Sequence, residues 1–363
     1  MKIGILGAGQ LGRMLALAGI PLGLEFLFYD AAEDPPAARV GECIRGAWDD
    51  VAALQAFASH VDVVTFEFEN VPESALSAIE GICPISPSRA ALATSQERVR
   101  EKGFLRQVGI PVPAFAPVTA QAHLLPALEE IGWPAVLKRT RGGYDGKGQA
   151  VIHEPNEAEG AWTMIGGGPA ILERLVPFGR ELSIIAVRST SGDIKAWPLV
   201  ENHHHGGILR WSVAPAPQLN PALQAEAESH ARRLMEELDY VGVLTIEFFE
   251  VGGQLWANEI APRVHNSGHW TIEGAFTSQF ENHLRAIASL PLGPTAERGP
   301  SAMVNLIGTL PPRHEMLAVP GARVHLYGKP PRPGRKLGHI TLVANDETQR
   351  DQALQGALRI VGV

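Results

Sequence analysis

The chain has 363 residues, 45% hydrophobic and 19% charged, with a formal net charge of −8. That length calls for two or three cores and the composition excludes wholesale disorder, while the negative balance argues against a general nucleic-acid surface. Cys43 and Cys83 are too few for a disulfide framework or a thiolate zinc site, no apolar run approaches a membrane span, and Met1 leads at once into a strand with no room for a signal sequence. The expectation is a reduced, cytoplasmic enzyme with neither nucleic acid nor membrane as a partner.

In chain order, residues 2–6 read as a short buried strand that turns through Gly7, Gly9 and Gly12 into a helix over 13–21. A second strand over 24–29 ends at Asp30. A helix over 49–59, a strand over 61–67 and a helix from about Glu73 follow. Alternation at this spacing predicts a parallel sheet with helices on its faces. Residues 97–108 read as a helix, broken by Gly109, Pro111 and Pro113. From Ala135 to Glu181 the order changes to strand, glycine loop, strand, helix, strand, which is α+β. Paired strands over 181–187 and 194–200, a long helix over 221–238, and a hairpin of 243–251 with 255–261 come next. Beyond Leu290, Pro- and Gly-rich sequence separates short strands over 303–308, 323–326 and 339–343, which predicts a small β-rich domain.

Six constellations could carry chemistry. The loop from Arg139 to Gln149 holds four glycines and three cations between two apolar runs, directly after Lys138. Strand, glycine loop, strand is how a backbone closes over a polyphosphate, with bare N–H groups and nearby cations facing the oxygens. Gly7, Gly9 and Gly12, with Asp30 ending the second strand, match the dinucleotide fingerprint. A tight strand-to-helix turn needs small residues whatever it binds, and a helix N-terminus favours any anion. Glu247 and Glu259 flank Gly252 and Gly253. A two-residue turn would place the two carboxylates on opposite faces, whereas a three-residue loop, Gly252 to Gln254, would set them side by side. Paired there in apolar surroundings they favour a hard divalent cation, Mg²⁺ with Mn²⁺ as the other candidate. Arg263, His265, Asn266, Ser267 and His269 follow as a dense polar run. Lys329, Arg332, Arg335 and Lys336 form a stiff basic element among prolines. His203, His204 and His205 cannot all face one ion from regular structure, so contact of one with a nucleotide is preferred to a metal site.

Together these residues resemble the ATP-grasp enzymes and, within them, the N5-carboxyaminoimidazole ribonucleotide synthetases of bacterial purine biosynthesis. The resemblance rests on five blocks in order: Gly9-Gln-Leu-Gly-Arg-Met14, residues 65–72, residues 142–149, residues 258–269 and residues 332–339. It implies a Rossmann-like domain at 1–97 and a two-lobed ATP-grasp core at 98–292, with lobes of about 98–175 and 176–292. A small C-terminal domain at 293–363 and assembly as a homodimer complete the expectation. The reaction it implies joins ATP, bicarbonate and 5-aminoimidazole ribonucleotide. ATP would meet Arg98, Lys138, Glu173, Arg174, Leu175, Val176, Glu181, His204, Asn258 and Glu259. The lid formed by Gly143, Tyr144, Asp145, Gly146, Lys147, Gly148 and Gln149 would close over it. Backbone groups of residues 173–176 would read the adenine, and Glu181 the ribose hydroxyls. Glu247 and Glu259 would hold Mg²⁺. Asp145, Arg263 and Lys336 would serve the carboxyl transfer. Gln10, Glu69, Arg263, His269, Arg335 and Lys336 would hold the aminoimidazole ribonucleotide.

Two departures stand out. Lys147 occupies a place where many relatives carry Arg, which keeps the charge and loses the bidentate fork. The chain also ends soon after its last strand, so a longer C-terminal helix of some relatives is expected to be absent. Other readings of the same residues are a formate-dependent glycinamide ribonucleotide transformylase, a nucleotide sensor without turnover, and an NAD-dependent dehydrogenase built on Gly7–Gly12.

Overall fold

The computed structural model describes residues 1–142 and 148–363. The expected roles of Gly143, Tyr144, Asp145, Gly146 and Lys147 therefore lie outside the described residues.

Three sheets organise the described residues. The first is parallel, in the order Glu42–Arg45, Glu25–Asp30, Lys2–Leu6, Val63–Phe66. Three of its four strands, Glu25–Asp30, Lys2–Leu6 and Val63–Phe66, are almost wholly buried, as a sheet covered on both faces requires. The helix after the first strand spans Gln10–Gly19 and so begins three residues earlier than expected. Gly9, in an extended conformation, is its N-cap, and the glycine loop already forms the first turn. The second sheet is antiparallel, in the order Phe115–Val118, Ala170–Arg174, Ala135–Arg139, Gln149–Ile152. Lys138 lies opposite Gln149, so the glycine loop caps that pair of strands.

The third sheet has nine strands. Its path runs Gln254–Ala261, Gly242–Val251, Arg180–Arg188, Val200–His205, Ile208–Ala214, Ser301–Ile307, Lys336–Val343, Ala322–Leu326, with Ile194–Ala196 paired beside Arg180–Arg188. The strand expected over 194–200 is thus two strands. Pro198 lacks the N–H that a continuous ladder would use between them. The strand-rich C-terminal segment lends its three strands to this same sheet. The chain then closes with a 15-residue helix, Glu347–Val361, which corrects the expectation of a chain ending near its last strand. Asp346 caps that helix by accepting from the Gln349 N–H at 2.8 Å, and Ala353, Leu354, Ala357 and Leu358 give it a buried stripe.

The Gln10–Gly19 helix packs on the Gln279–Ile287 helix, joining the parallel sheet to the nine-stranded one through a shared core that includes Phe26, Leu284 and Trp270. His283 stitches the same junction. Its Nε2 lies 2.9 Å from Thr65 Oγ1, and its Nδ1 accepts the Val243 N–H at 3.1 Å.

Candidate functional site

A cleft of about 620 Å³ is lined by residues of the second and third sheets and by the helix and loop that follow strands of the first. Its floor is the hairpin of Gly242–Val251 with Gln254–Ala261. The turn is the two-residue one, Gly252 and Gly253 at φ 58° and 80°, with Val251 opposite Gln254. A three-residue loop is therefore corrected. Glu247 nonetheless faces Glu259, because the register shifts between Glu247 and Phe248 and leaves Asn258 as the extra residue of a bulge. The bulge brings Glu247, Asn258 and Glu259 into the cleft together.

The trio gathers oxygen atoms in a buried setting where the two carboxyl groups differ. Burial and the neighbouring Glu259 push the Glu247 carboxyl up to about 7. Burial would raise Glu259 as well, but the Arg98 guanidinium, 3.2 Å away, holds it below the usual carboxylate range. Asn258 Oδ1 is buried with no hydrogen-bond partner among the described residues. Oxygen donors of this kind fit Mg²⁺. Among the described residues no group of three or more His, Cys, Asp or Glu could hold an ion alone. A cation here would draw its remaining ligands from phosphates and water.

One wall of the cleft is built on buried ion pairs. Lys138 Nζ donates to Glu173 Oε2 at 3.0 Å, and Lys102 Nζ approaches the same oxygen at 3.3 Å. Burial would raise the Glu173 carboxyl, but the two ammonium groups outweigh it and bring it to about 2. Glu181 and His204 are hydrogen-bonded and both line the cleft. Burial alone would lower His204, yet the Glu181 bond and the Glu247 charge raise it. His203 instead stacks on Trp211, centroids 4.6 Å apart, and His205 is exposed, so the triple-histidine run divides as its geometry requires. Leu175, Gln149 and the stacked pair Phe178 and Phe249 complete this wall. Gly148 adopts φ 72° where the glycine loop rejoins its strand.

The opposite wall carries Gln10, Glu69, Arg263, His269 and Lys336. Arg263 is ion-paired with Glu69, and Gln10 accepts from Lys329. Arg263 Nε is buried and has no partner among the described residues. Burial, then the Lys336 charge, lower His269 to about 3, so it is a neutral donor–acceptor. His265, likewise neutral, places Nε2 3.3 Å from Glu247 Oε1 while Nδ1 takes the Ser267 hydroxyl at 2.8 Å.

Four expected contacts lie away from the cleft surface. Glu173 is buried behind Lys138, and Val176 is buried three residues further along the chain. Arg174 turns outward to the Ile131 carbonyl at 3.2 Å because alternate side chains of a strand leave opposite faces. Arg335 folds back on the Pro330 carbonyl at 3.1 Å. Sequence reasoning missed Glu101, Lys102 and Tyr327. Charges in a short helix read as solvated, and nothing local says which of them will be covered.

The dinucleotide fingerprint is filled from within. Glu67, buried, accepts the Gly9 N–H and, at 2.7 Å, the Gly12 N–H. Its carboxylate occupies the position at the helix N-terminus where a pyrophosphate would dock. Asp30 accepts the Ala8 N–H at 2.7 Å and the Ala32 N–H at 2.8 Å, which ties the turn instead of presenting a ribose contact.

Three family models match the chain: the ribonucleotide synthetase preATP-grasp domain over 1–96, the ATP-grasp domain over 103–280, and the phosphoribosylaminoimidazole carboxylase C-terminal domain over 301–353. The N5-carboxyaminoimidazole ribonucleotide synthase of Pseudomonas aeruginosa is 52% identical over 346 residues, 95% of each chain. The N5-carboxyaminoimidazole ribonucleotide synthetase of Thermus thermophilus is a solved structure 54% identical, with a TM-score of 0.96 over 99% of both chains. The Aspergillus clavatus N5-carboxyaminoimidazole synthase, solved in complex with ADP and 5-aminoimidazole ribonucleotide, is 32% identical. Its TM-score is 0.93 over 99% of this chain and 98% of that one.

Proposed function

The chain belongs to the N5-carboxyaminoimidazole ribonucleotide synthase family of ATP-grasp ligases, and from that premise we propose how its own residues divide the work. The reaction is the ATP-dependent carboxylation of 5-aminoimidazole ribonucleotide to the N5-carboxylated nucleotide in purine biosynthesis. One observation carries the assignment of roles: the bulged hairpin opens Glu247, Asn258 and Glu259 onto a cleft with Lys138 on one wall and Arg263 and Lys336 on the other. A phosphoryl donor and a second, anionic substrate fit that division.

Bicarbonate is a poor electrophile until one of its oxygens becomes phosphate. In this reading its oxygen attacks the γ-phosphorus, ADP leaves, and carboxyphosphate or the CO₂ released from it meets the exocyclic amine. The amine forms the new C–N bond and gives up a proton, and inorganic phosphate departs. Catalysis is then mostly positioning and charge neutralisation. Lys138 and Arg98 face the phosphates, and Glu181 with His204 faces the ribose. Gln10, Arg263, His269 and Lys336 orient the second nucleotide; Asp145, outside the described residues, belongs to the same transfer step. Glu247, Glu259 and Asn258 would hold Mg²⁺, which when bound supplies charge neutralisation across the phosphates. The loop over 139–149 serves as lid, because an open site would lose the activated intermediate to water.

No helix among the described residues is long and apolar enough to cross a membrane. A cytoplasmic homodimer belongs to this reading, with support from the family alone. Purified protein is expected to release phosphate from ATP only when bicarbonate and 5-aminoimidazole ribonucleotide are both present. Release with formate in place of bicarbonate, or none with both supplied, would remove the proposal.

A further inference from the structure

The Arg98–Gln107 helix belongs to no sheet, yet its first turns grip the carboxylate hairpin at three points. Arg98 Nη1 lies 3.2 Å from Glu259 Oε2, Glu101 Oε1 accepts the Ile260 N–H at 2.6 Å, and Lys102 Nζ donates to the Ala257 carbonyl at 3.1 Å. Glu101 and Lys102 are 2% and 0% exposed, unusual for such residues unless they are paired. Lys102 also approaches Glu173 Oε2 at 3.3 Å, the oxygen that Lys138 holds.

The strand being gripped, Gln254–Ala261, is the edge of the nine-stranded sheet, so its outer N–H and C=O groups have no neighbouring strand. Side chains of the helix take that place at Ile260 and Ala257, and the Pro111 carbonyl accepts the Ala257 N–H at 2.7 Å. These contacts bracket the bulge. Ala257, opposite Phe248, is the last residue in the register set by the turn, and Ile260, opposite Ile246, lies in the shifted register. Without the bulge, the turn register would place Asn258 opposite Glu247. Glu259 would then lie opposite Ile246, on the other face of the sheet.

We infer that Glu101 and Lys102 are positioning residues for phosphoryl transfer, holding residues 257–260 in the bulged register that keeps Glu259 beside Glu247. The inference rests on the function proposed above. Neither residue needs to touch substrate; each acts through the backbone of the strand that carries the carboxylate. Outer partners of this kind affect metal affinity by about 10–100-fold when removed.

The test is the affinity of the full chain for Mn²⁺–ADP, followed by electron paramagnetic resonance, together with kcat and the KM for 5-aminoimidazole ribonucleotide. Glu101→Leu and Lys102→Met are each expected to weaken Mn²⁺–ADP binding by about tenfold or more and to lower kcat, with that KM within about twofold of wild type. Glu101→Gln still offers an oxygen to the Ile260 N–H and is expected to restore affinity to within about threefold. Wild-type affinity in folded Glu101→Leu or folded Lys102→Met overturns the assignment, as does a Glu101→Gln enzyme as impaired as Glu101→Leu. Should Glu101→Leu not fold, Glu101→Asp, one methylene shorter, is expected to bind about fivefold more weakly, and wild-type affinity there overturns the assignment equally. A wild-type chain that binds no Mn²⁺–ADP would instead remove the metal reading beneath it.

Discussion

Glu247 and Glu259 are a pair of acids that the fold treats differently. Arg98 keeps Glu259 ionised, and burial beside that charge pushes Glu247 to about 7. Replacing Glu259 by Gln keeps its volume and one oxygen but removes the charge that Arg98 neutralises. Glu259→Gln is expected to lower kcat by about 100-fold or more with unchanged circular dichroism; turnover within about fivefold of wild type at ordinary Mg²⁺ would end the metal assignment. At this scale the sequence was informative where chemistry is carried by residue type and order. Lys138, Glu181, Glu247, Glu259, Arg263 and His269 were all singled out, and all of them line the cleft. Glu101 and Lys102 were illegible, since a helix over 97–108 rich in charge reads as a solvated face until a strand about 155 residues away covers it.

The hairpin shows the same limit for an element. Its two strands and its glycine turn were readable from alternation and from Gly252 and Gly253. Its register was not, because the bulge at Asn258 has no local signature and depends on what holds the edge strand. If the bulge and its helix contacts set the register, loop length does not. Inserting one glycine between Gly252 and Gly253 is therefore expected to leave ATP-dependent phosphate release within about threefold of wild type, since loop entropy changes little for one added residue. Loss of turnover in a folded insertion variant would return control of the register to the turn. The fingerprint over Gly7–Gly12 is the converse case. Local sequence correctly predicted a tight strand-to-helix turn with N–H groups to be satisfied, and the group that satisfies them is the Glu67 carboxyl, just past the end of the strand that lies alongside.

Across the whole molecule, His283 ties the parallel sheet to the nine-stranded one while uncharged. Burial lowers it from 6.5 to about 4, and its Nδ1 must stay unprotonated to accept the Val243 N–H. Between those two values the unfolded chain takes up a proton that the folded chain refuses, so stability falls as pH is lowered through that window and the loss levels off below it. The slope per histidine reaches about 1.4 kcal/mol per pH unit. His269, lowered to about 3, adds to the same trend. Urea unfolding midpoints are expected to drop between pH 6.5 and 4, with a shallower drop in His283→Gln. Equal slopes in the two proteins would show that His283 does not carry the effect. Legible in the sequence were the alternating strands and helices of residues 2–79, the hairpin of 243–261, the glycine loop after Lys138 and the five ordered blocks that carry the family, because residue type, spacing and periodicity are local properties of the chain. Legible only in three dimensions are the C-terminal strands that extend the central sheet, the Glu67 side chain that fills the fingerprint, and the bulge, contacted by a distant helix, that sets two carboxylates side by side. Each of those depends on which backbone hydrogen bonds remain for distant parts of the chain to satisfy, and a linear pattern does not contain that information.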